Sequence, residues 1–315
     1  MKDTHPTAFD GITPTPAWAF DQYQHLRNQL PAAASKRGRY EWLPSLEPLS
    51  SRFDAFIFDA FGVLNTGPSV ISGAVERLAS LQASGRPVLV LSNAATASQQ
   101  NLTKKYRGMG FDLTEQQVIS SRWLLEDALT RAPQRDELWG VIAPPHSGCH
   151  SLPGINHRPV RPGITDEELD GFDGFIFMSS EDWNETLQGQ LTASLIRRSR
   201  PLKVANPDLV APRGDCLTLE PGYFAHKLRE ATGIFPEFFG KPYAPAFAAA
   251  LNRLSDISPD RILMVGDTLH TDILGASATG MATLLVSDHG SLAGMDINAC
   301  IEYSGISPDY IAPSI

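Results

Sequence analysis

Four short stretches place reactive side chains at or just beyond the ends of apolar runs. Asp59 follows the run in FDAFIFD, Ser92 closes VLVLS, Lys241 sits in FGKP, and Asp267 ends RILMVGD with Asp272 behind it in GDTLHTD. A carboxylate at such a point can attack electrophilic phosphorus or carbon. A second carboxylate, Asp267, is placed to share a divalent cation with Asp59. Magnesium suits such a sparse carboxylate site, because water and substrate oxygens complete its octahedron. A serine hydroxyl and a lysine ammonium can hold the remaining phosphoryl oxygens and offset the charge that builds there. Asp272 can orient Lys241 or a metal-bound water. Taken singly, each residue has an ordinary alternative as a turn, a helix cap or a surface lysine. Lys241 stands out as one of 7 lysines against 19 arginines.

These side chains need elements to hold them. Ala55–Phe58 and PVLVLS read as buried strands, and residues 74–84 and 98–109 read as helices closed by Gly85 and Gly110. The same alternation returns late, with a helix over 244–254, the strand RILMVGD, a helix over 271–279 closed by Gly280, and the strand MATLLVS. Apolar strands alternating with helices predict a doubly wound parallel sheet, whose ligands collect at the carboxyl ends of the strands. The stretch 134–234 has strands of its own (LWGVIA, GFIFMSS, LKVANPD) and reads as a second α/β unit inserted into the first. The expected organisation is a core of 51–133 plus 235–315, an inserted cap domain over 134–234, and an accessory segment over 1–50. In that segment one helix is expected over 17–30, followed by a solvated AAASKRGR linker.

Composition removes several classes of function. The chain has 315 residues, 42% of them apolar, and a net charge of −9, which argues against a general nucleic-acid-binding surface. No apolar run approaches the length of a membrane span, and the first residues lack the layout of a signal peptide. Three scattered cysteines, Cys149, Cys216 and Cys300, form no disulfide framework and point to a reducing, cytoplasmic compartment.

In order and spacing, these stretches resemble the haloacid dehalogenase (HAD) superfamily of hydrolases. The similar subgroup carries its cap between the second and third motifs and includes N-acetylglucosamine phosphatase-like proteins and 4-nitrophenylphosphatases. The family's DxDGVL motif stands here as Asp59-Ala60-Phe61-Gly62-Val63-Leu64, followed by Gly67. Ser92-Asn93, Gly240-Lys241-Pro242 and Gly266-Asp267-Thr268 match the other three motifs, with Thr271-Asp272-Ile273 behind the last. Asn206-Pro207-Asp208 and Ala231-Thr232-Gly233 match habits of the insert. The resemblance implies a Rossmann-like core with an inserted cap that closes over the site. It makes Asp59 the nucleophile and a magnesium ligand, beside Asp267 and the backbone carbonyl of Phe61. Ser92 and Lys241 would bind the phosphoryl group, Asn93 would orient the substrate, and Asp272 would support the site. The implied partner is a small phosphorylated metabolite, with no nucleic acid and no membrane. A homodimer is left open.

The sequence departs from the family at Phe61, where phosphatases carry a second Asp as general acid–base. Phe transfers no proton, and such help is typically worth about 10²–10⁴ in rate. Three readings follow. One is a weak or specialised phosphohydrolase that takes good leaving groups or borrows another acid, with His270 the candidate donor and an exposed loop histidine its plain alternative. The second is carbon–halogen hydrolysis, since FDAFGVL looks like the dehalogenase FDAYGTL. The third is a silent phosphate- or nucleotide-binding regulator. Within the insert, His146, Cys149 and His150, with His157, hint at a metal site in a loop. Trp183 is either a stacking residue or cap core, and Asp182 and Asp208 either meet the substrate's distal end or cap turns.

Overall fold

The run Ala55–Phe58 is buried at all four positions and forms an interior strand of a seven-stranded sheet. In spatial order the sheet runs Glu41–Trp42, Tyr310–Ala312, Ala282–Val286, Ile262–Gly266, Ala55–Phe58, Val88–Ser92, Val118–Ser120. Its pairings from Glu41–Trp42 across to Val88–Ser92 are parallel. After Ala55–Phe58 the chain builds the sheet in one direction through Val88–Ser92 and Val118–Ser120. It returns to the other side for Ile262–Gly266 and the strands beyond. Ala55–Phe58 is therefore the topological switch point, where open α/β sheets leave a crevice for ligands.

The computed structural model describes residues 5–32, 40–147, 152–213 and 216–315. Two compact units divide the chain. One comprises residues 16–92, 99–119 and 241–315 and holds the seven-stranded sheet; the other comprises 1–15, 93–98 and 120–240. The second unit has a five-stranded parallel sheet in the order Glu237–Phe238, Leu202–Val204, Gly174–Phe177, Gln134–Ile142, Ile155–Pro159. It begins earlier and ends later than the 134–234 expected from sequence. Glu237–Phe238 extends its sheet by pairing with Lys203–Val204, and the helix Ser121–Arg131 also belongs to it.

The first fifty residues do not form one segment. Phe9 packs edge-on against Phe224 at 5.0 Å, and the Leu219 N–H donates to the Pro6 carbonyl, so residues before 16 belong with the inserted unit. From Pro16 the chain joins the core. The helix expected over 17–30 is shorter, Pro16–His25, and gives way to a 3₁₀ turn at Arg27–Gln29. Pro31 keeps Leu30 extended, since a residue preceding proline is disfavoured in the α conformation, and the Arg27 guanidinium donates to the Pro31 carbonyl at 2.8 Å. Most of the AAASKRGR linker (33–39) lies outside the described residues. Among the described residues no helix is long and apolar enough to cross a membrane.

Candidate active site

Three neighbouring strand ends build the site. The Asp59 N–H donates to the Val265 carbonyl at 2.8 Å, which sets the end of the Asp59 strand level with the end of the Asp267 strand. On the other side Phe58 is in register with Val90, two residues before Ser92. The sheet alone thus brings together three of the side chains singled out by sequence.

Lys241 joins them. Its ammonium lies 2.6 Å from Asp59 Oδ1 and 2.6 Å from Asp272 Oδ1, and only 2% of the residue is exposed. Asp272 turns its other oxygen to the backbone N–H groups of Asp267 (3.2 Å) and Thr268 (3.1 Å), which fix its orientation. Burial alone would push the Lys241 ammonium down, but the carboxylates of Asp272 and Asp59 outweigh it and hold Lys241 above its ordinary value. Burial raises Asp59, Asp267 and Asp272, each to about 6, against the pull of Lys241.

The arrangement fits a divalent cation. Carboxylate oxygens of Asp59, Asp267 and Asp272 lie within 4.8 Å of one another. Ionised, the three set three negative charges against the single charge of Lys241, leaving two for a cation to balance. Asp267 is itself fixed: its Oδ2 accepts the Ser291 N–H at 2.6 Å and its Oδ1 the Thr268 hydroxyl at 3.1 Å. Two glycines make room for it. A Cβ at Gly62, whose φ is +78°, would come within 2.8 Å of the Asp267 carboxyl, and a Cβ at Gly290 would collide with the same side chain.

The loop after Asp59 bears on the expected role of Phe61. A parallel bridge joins Phe61 to Asn65, made by the Asn65 N–H on the Ala60 carbonyl (3.0 Å) and the Gly62 N–H on the Asn65 carbonyl (2.9 Å). The bridge therefore uses the groups on either side of Phe61 and leaves Phe61's own carbonyl out of it. That is what a backbone metal ligand at this position requires.

One site residue was missed in the sequence. Tyr106, on the helix Gln99–Gly108, is 2% exposed, and its hydroxyl hydrogen-bonds to the Ser92 side chain. Burial holds this phenol above its ordinary value, and Asp59 and Lys241 are near enough to act on it. In sequence Tyr106 reads as one more apolar-face position of a helix, and nothing local marks its hydroxyl.

The other residues singled out in the sequence have the following partners. Asn93 is held within the inserted unit, its amide donating to Asp208 Oδ1 at 2.7 Å and its carbonyl oxygen accepting from Ser121 at 3.2 Å. That also accounts for Asp208, which forms a turn through the Asn206 side chain as well. Gly240 is required there, since a Cβ would sit 2.6 Å from Asn93 Oδ1 and collide with the Ser121 hydroxyl. Asp182 is an exposed turn residue with φ +62°. Trp183 is core: 3% exposed, 4.8 Å from the Phe177 ring, its N–H donating to Gln188.

His270 is neither an exposed loop histidine nor an available acid. It is 1% exposed, and burial, with Arg27 nearby, pushes its imidazole down to about 3, so near neutral pH it is a neutral ring and not the imidazolium that a general acid requires. The helix expected over 271–279 instead opens as a π turn, Leu269–Ile273, before Leu274–Ala278. Of the loop histidines and cysteine, exposed His146 faces Glu181 at 3.5 Å, while Cys149 and His150 lie outside the described residues. Among the described residues, the group fit to hold a metal is Asp59, Asp267 and Asp272.

Comparisons with known proteins agree with this architecture. A model of haloacid dehalogenase-like hydrolases matches residues 56–147, and a second HAD-hydrolase-like model matches 238–315. The acid sugar phosphatase of Staphylococcus aureus is 25% identical over 241 residues, covering 75% of this chain and 86% of that protein. A "possible sugar phosphatase" of the HAD superfamily from Cytophaga hutchinsonii superposes with a TM-score of 0.76 at 27% identity, over 87% of this chain and 98% of that one. The glycerol phosphate phosphatase of Mycobacterium tuberculosis, crystallised with calcium, gives a TM-score of 0.61 at 25% identity, over 77% and 68% of the two chains. The first matched stretch carries the Asp59 strand and Ser92 and the second carries Lys241 and Asp267; most of the additional α/β unit, residues 148–237, lies between them. On that evidence this chain belongs to the haloacid dehalogenase-like hydrolases, in the subgroup whose insert separates the second motif from the third.

Proposed function

We propose that this protein is a magnesium-dependent phosphohydrolase of small phosphorylated metabolites, working through an aspartyl-phosphate at Asp59. The observation that carries the reading is Lys241 held 2.6 Å from both Asp59 and Asp272, beside Asp267, at the switch point of the sheet. Asp59 forms the new O–P bond as the bond from phosphorus to the leaving oxygen breaks. Lys241 and the Ser92 hydroxyl hold phosphoryl oxygens and meet the charge that develops on them. Water then opens the aspartyl-phosphate, freeing phosphate and restoring the carboxylate. Asp59, Asp267 and the Phe61 carbonyl would hold the cation, which would supply positive charge to the phosphoryl group. Phe61 offers no proton to the leaving oxygen, so substrates whose leaving group departs unaided are favoured: aryl and acyl phosphates over alkyl ones.

The test is a panel of acyl, aryl and alkyl phosphates and a 2-haloacid, with and without magnesium. Magnesium-dependent phosphate release, fastest from the acyl and aryl esters, supports the reading. Halide release without magnesium would instead make the protein a dehalogenase. Phe61 also favours a silent phosphate-binding regulator, which would bind phosphate and turn over nothing on the panel. Calorimetry tests the metal site directly. Asp267→Asn should weaken magnesium binding by tenfold or more, in the range about 10–100-fold seen when a metal's supporting groups are lost; equal binding by both proteins would remove Asp267 from the site.

Tyr106→Phe removes only a hydroxyl. If Ser92 holds a phosphoryl oxygen, losing the hydrogen bond that orients it should lower kcat/KM by about fivefold to tenfold, the kinetic equivalent of one hydrogen bond worth about 1 kcal/mol. The loss should vanish when Ser92 is already Ala. Equal losses in both backgrounds would place the Tyr106 hydroxyl outside the Ser92 interaction.

A further inference from the structure

His270 lies in the turn between Asp267 and Asp272, and a helix some 250 residues earlier in the chain holds it in place. Its ring stacks on Tyr23 at 5.2 Å with 13° between planes and meets Phe20 edge-on at 5.1 Å. Its Nε2 lies 2.8 Å from the Gln24 side-chain oxygen across a sequence separation of 246. The Gln24 amide nitrogen donates to the Tyr303 carbonyl at 2.8 Å. A carbonyl can only accept, so it fixes the orientation of the amide. Gln24 therefore presents oxygen to His270, and the neutral imidazole must carry its proton on Nε2 and donate it.

The turn that His270 belongs to is a π turn, Leu269–Ile273, in which the N–H groups of Asp272 and Ile273 both reach the Thr268 carbonyl, at 3.1 and 3.3 Å. Such turns are rare and recur at functional sites. Here two sets of contacts grip it. On one side Asp272 binds the N–H groups of Asp267 and Thr268 and the Lys241 ammonium. On the other, Tyr23, Phe20 and Gln24 enclose His270.

We propose that the helix Pro16–His25 is a positioning element for the metal-binding loop, acting through His270 to keep Asp267 and Asp272 in the geometry that receives the cation. The inference rests on the metal site proposed above. Tyr23, Gln24 and His270 touch neither substrate nor cation; they set the backbone from which the carboxylates project. Without this support the turn can relax toward ordinary α geometry, which rotates Asp272 away from the N–H groups it binds. The accessory helix thereby becomes part of the machinery of the site.

The experiment measures magnesium affinity of the full chain by calorimetry, without substrate, together with hydrogen exchange at the Asp267 and Thr268 amides without metal. Tyr23→Ala should raise the magnesium Kd by about tenfold or more and speed exchange at both amides. Tyr23→Phe keeps the stacked ring and should retain wild-type affinity. Gln24→Met keeps the side-chain volume but loses the acceptor, and should shift both readouts in the same direction as Tyr23→Ala. Should Tyr23→Ala fail to fold, Gln24→Met decides. Folded Tyr23→Ala and Gln24→Met proteins with wild-type magnesium affinity and wild-type exchange would overturn the proposal, leaving the helix as packing alone. A wild type that binds no magnesium would overturn the metal site and this inference together. Unchanged variants beside a wild type that does bind would overturn this inference only.

Discussion

Phe61→Asp should raise turnover of an alkyl phosphate by about 10²-fold or more, the increment that a general acid–base supplies. The gain should be smaller for 4-nitrophenyl phosphate, whose leaving group scarcely needs a proton in the first step. The backbone around this residue is held by the Ala60 carbonyl and the Gly62 N–H, and the side chain is half-buried, so the substitution leaves the loop's own bonds intact. Steady-state kinetics on the two esters, with a thermal melt as control, measures the effect. A variant that folds, binds magnesium and still turns over nothing would refute the missing-acid account and favour the regulator reading.

Lys241→Met should have the largest combined effect. In the wild type one buried ammonium serves two buried carboxylates at 2.6 Å each. Removing one partner of a buried ion pair costs about 3–5 kcal/mol, because the remaining charge is left without compensation. Urea unfolding at neutral pH should show a loss of that order, and binding of inorganic phosphate should disappear. The deficit should narrow as pH falls. Burial already raises the Asp59 and Asp272 carboxyls to about 6, and without the ammonium they rise further. A carboxyl with a raised folded-state pKa binds its proton more readily folded than unfolded, so the variant regains stability as pH falls through its further raised values, and the narrowing ends near 6, where the wild-type carboxyls begin to protonate as well. A variant with wild-type stability and phosphate affinity would show that Lys241 does not balance these charges.

The legible part of the site was the part built by strands. Asp59, Ser92 and Asp267 could be placed from sequence because each lies at or just after the end of an apolar run, and parallel neighbours bring such ends together. Lys241 and Asp272 were legible through their motifs. Their pairing on one ammonium was not, since that depends on how the Lys241 loop meets the Asp267 turn. Tyr106 and His270 show the limit from opposite sides. Tyr106 sits on a helix face where an aromatic ring reads as core, and only its contact with Ser92 gives the hydroxyl a purpose. His270 sits inside a motif, which made it a candidate donor, yet burial makes it neutral.

The sequence by itself determined four of the seven strands of the core sheet and the helices that alternate with them, the strand-end placement of the reactive residues and the presence of an inserted unit. Those features are written in short-range periodicity, which each segment carries within itself. Where the inserted unit begins and ends was decided by tertiary structure. Glu237–Phe238 is a strand because Lys203–Val204 offers it an edge, and two residues have no period to read. The division of the N-terminal segment was decided in the same way. Phe9 packs with Phe224 in one unit, while Tyr23 and Gln24 hold His270 in the other. Contacts between residues more than two hundred positions apart depend on which surfaces the folded chain brings together, and no local pattern records that.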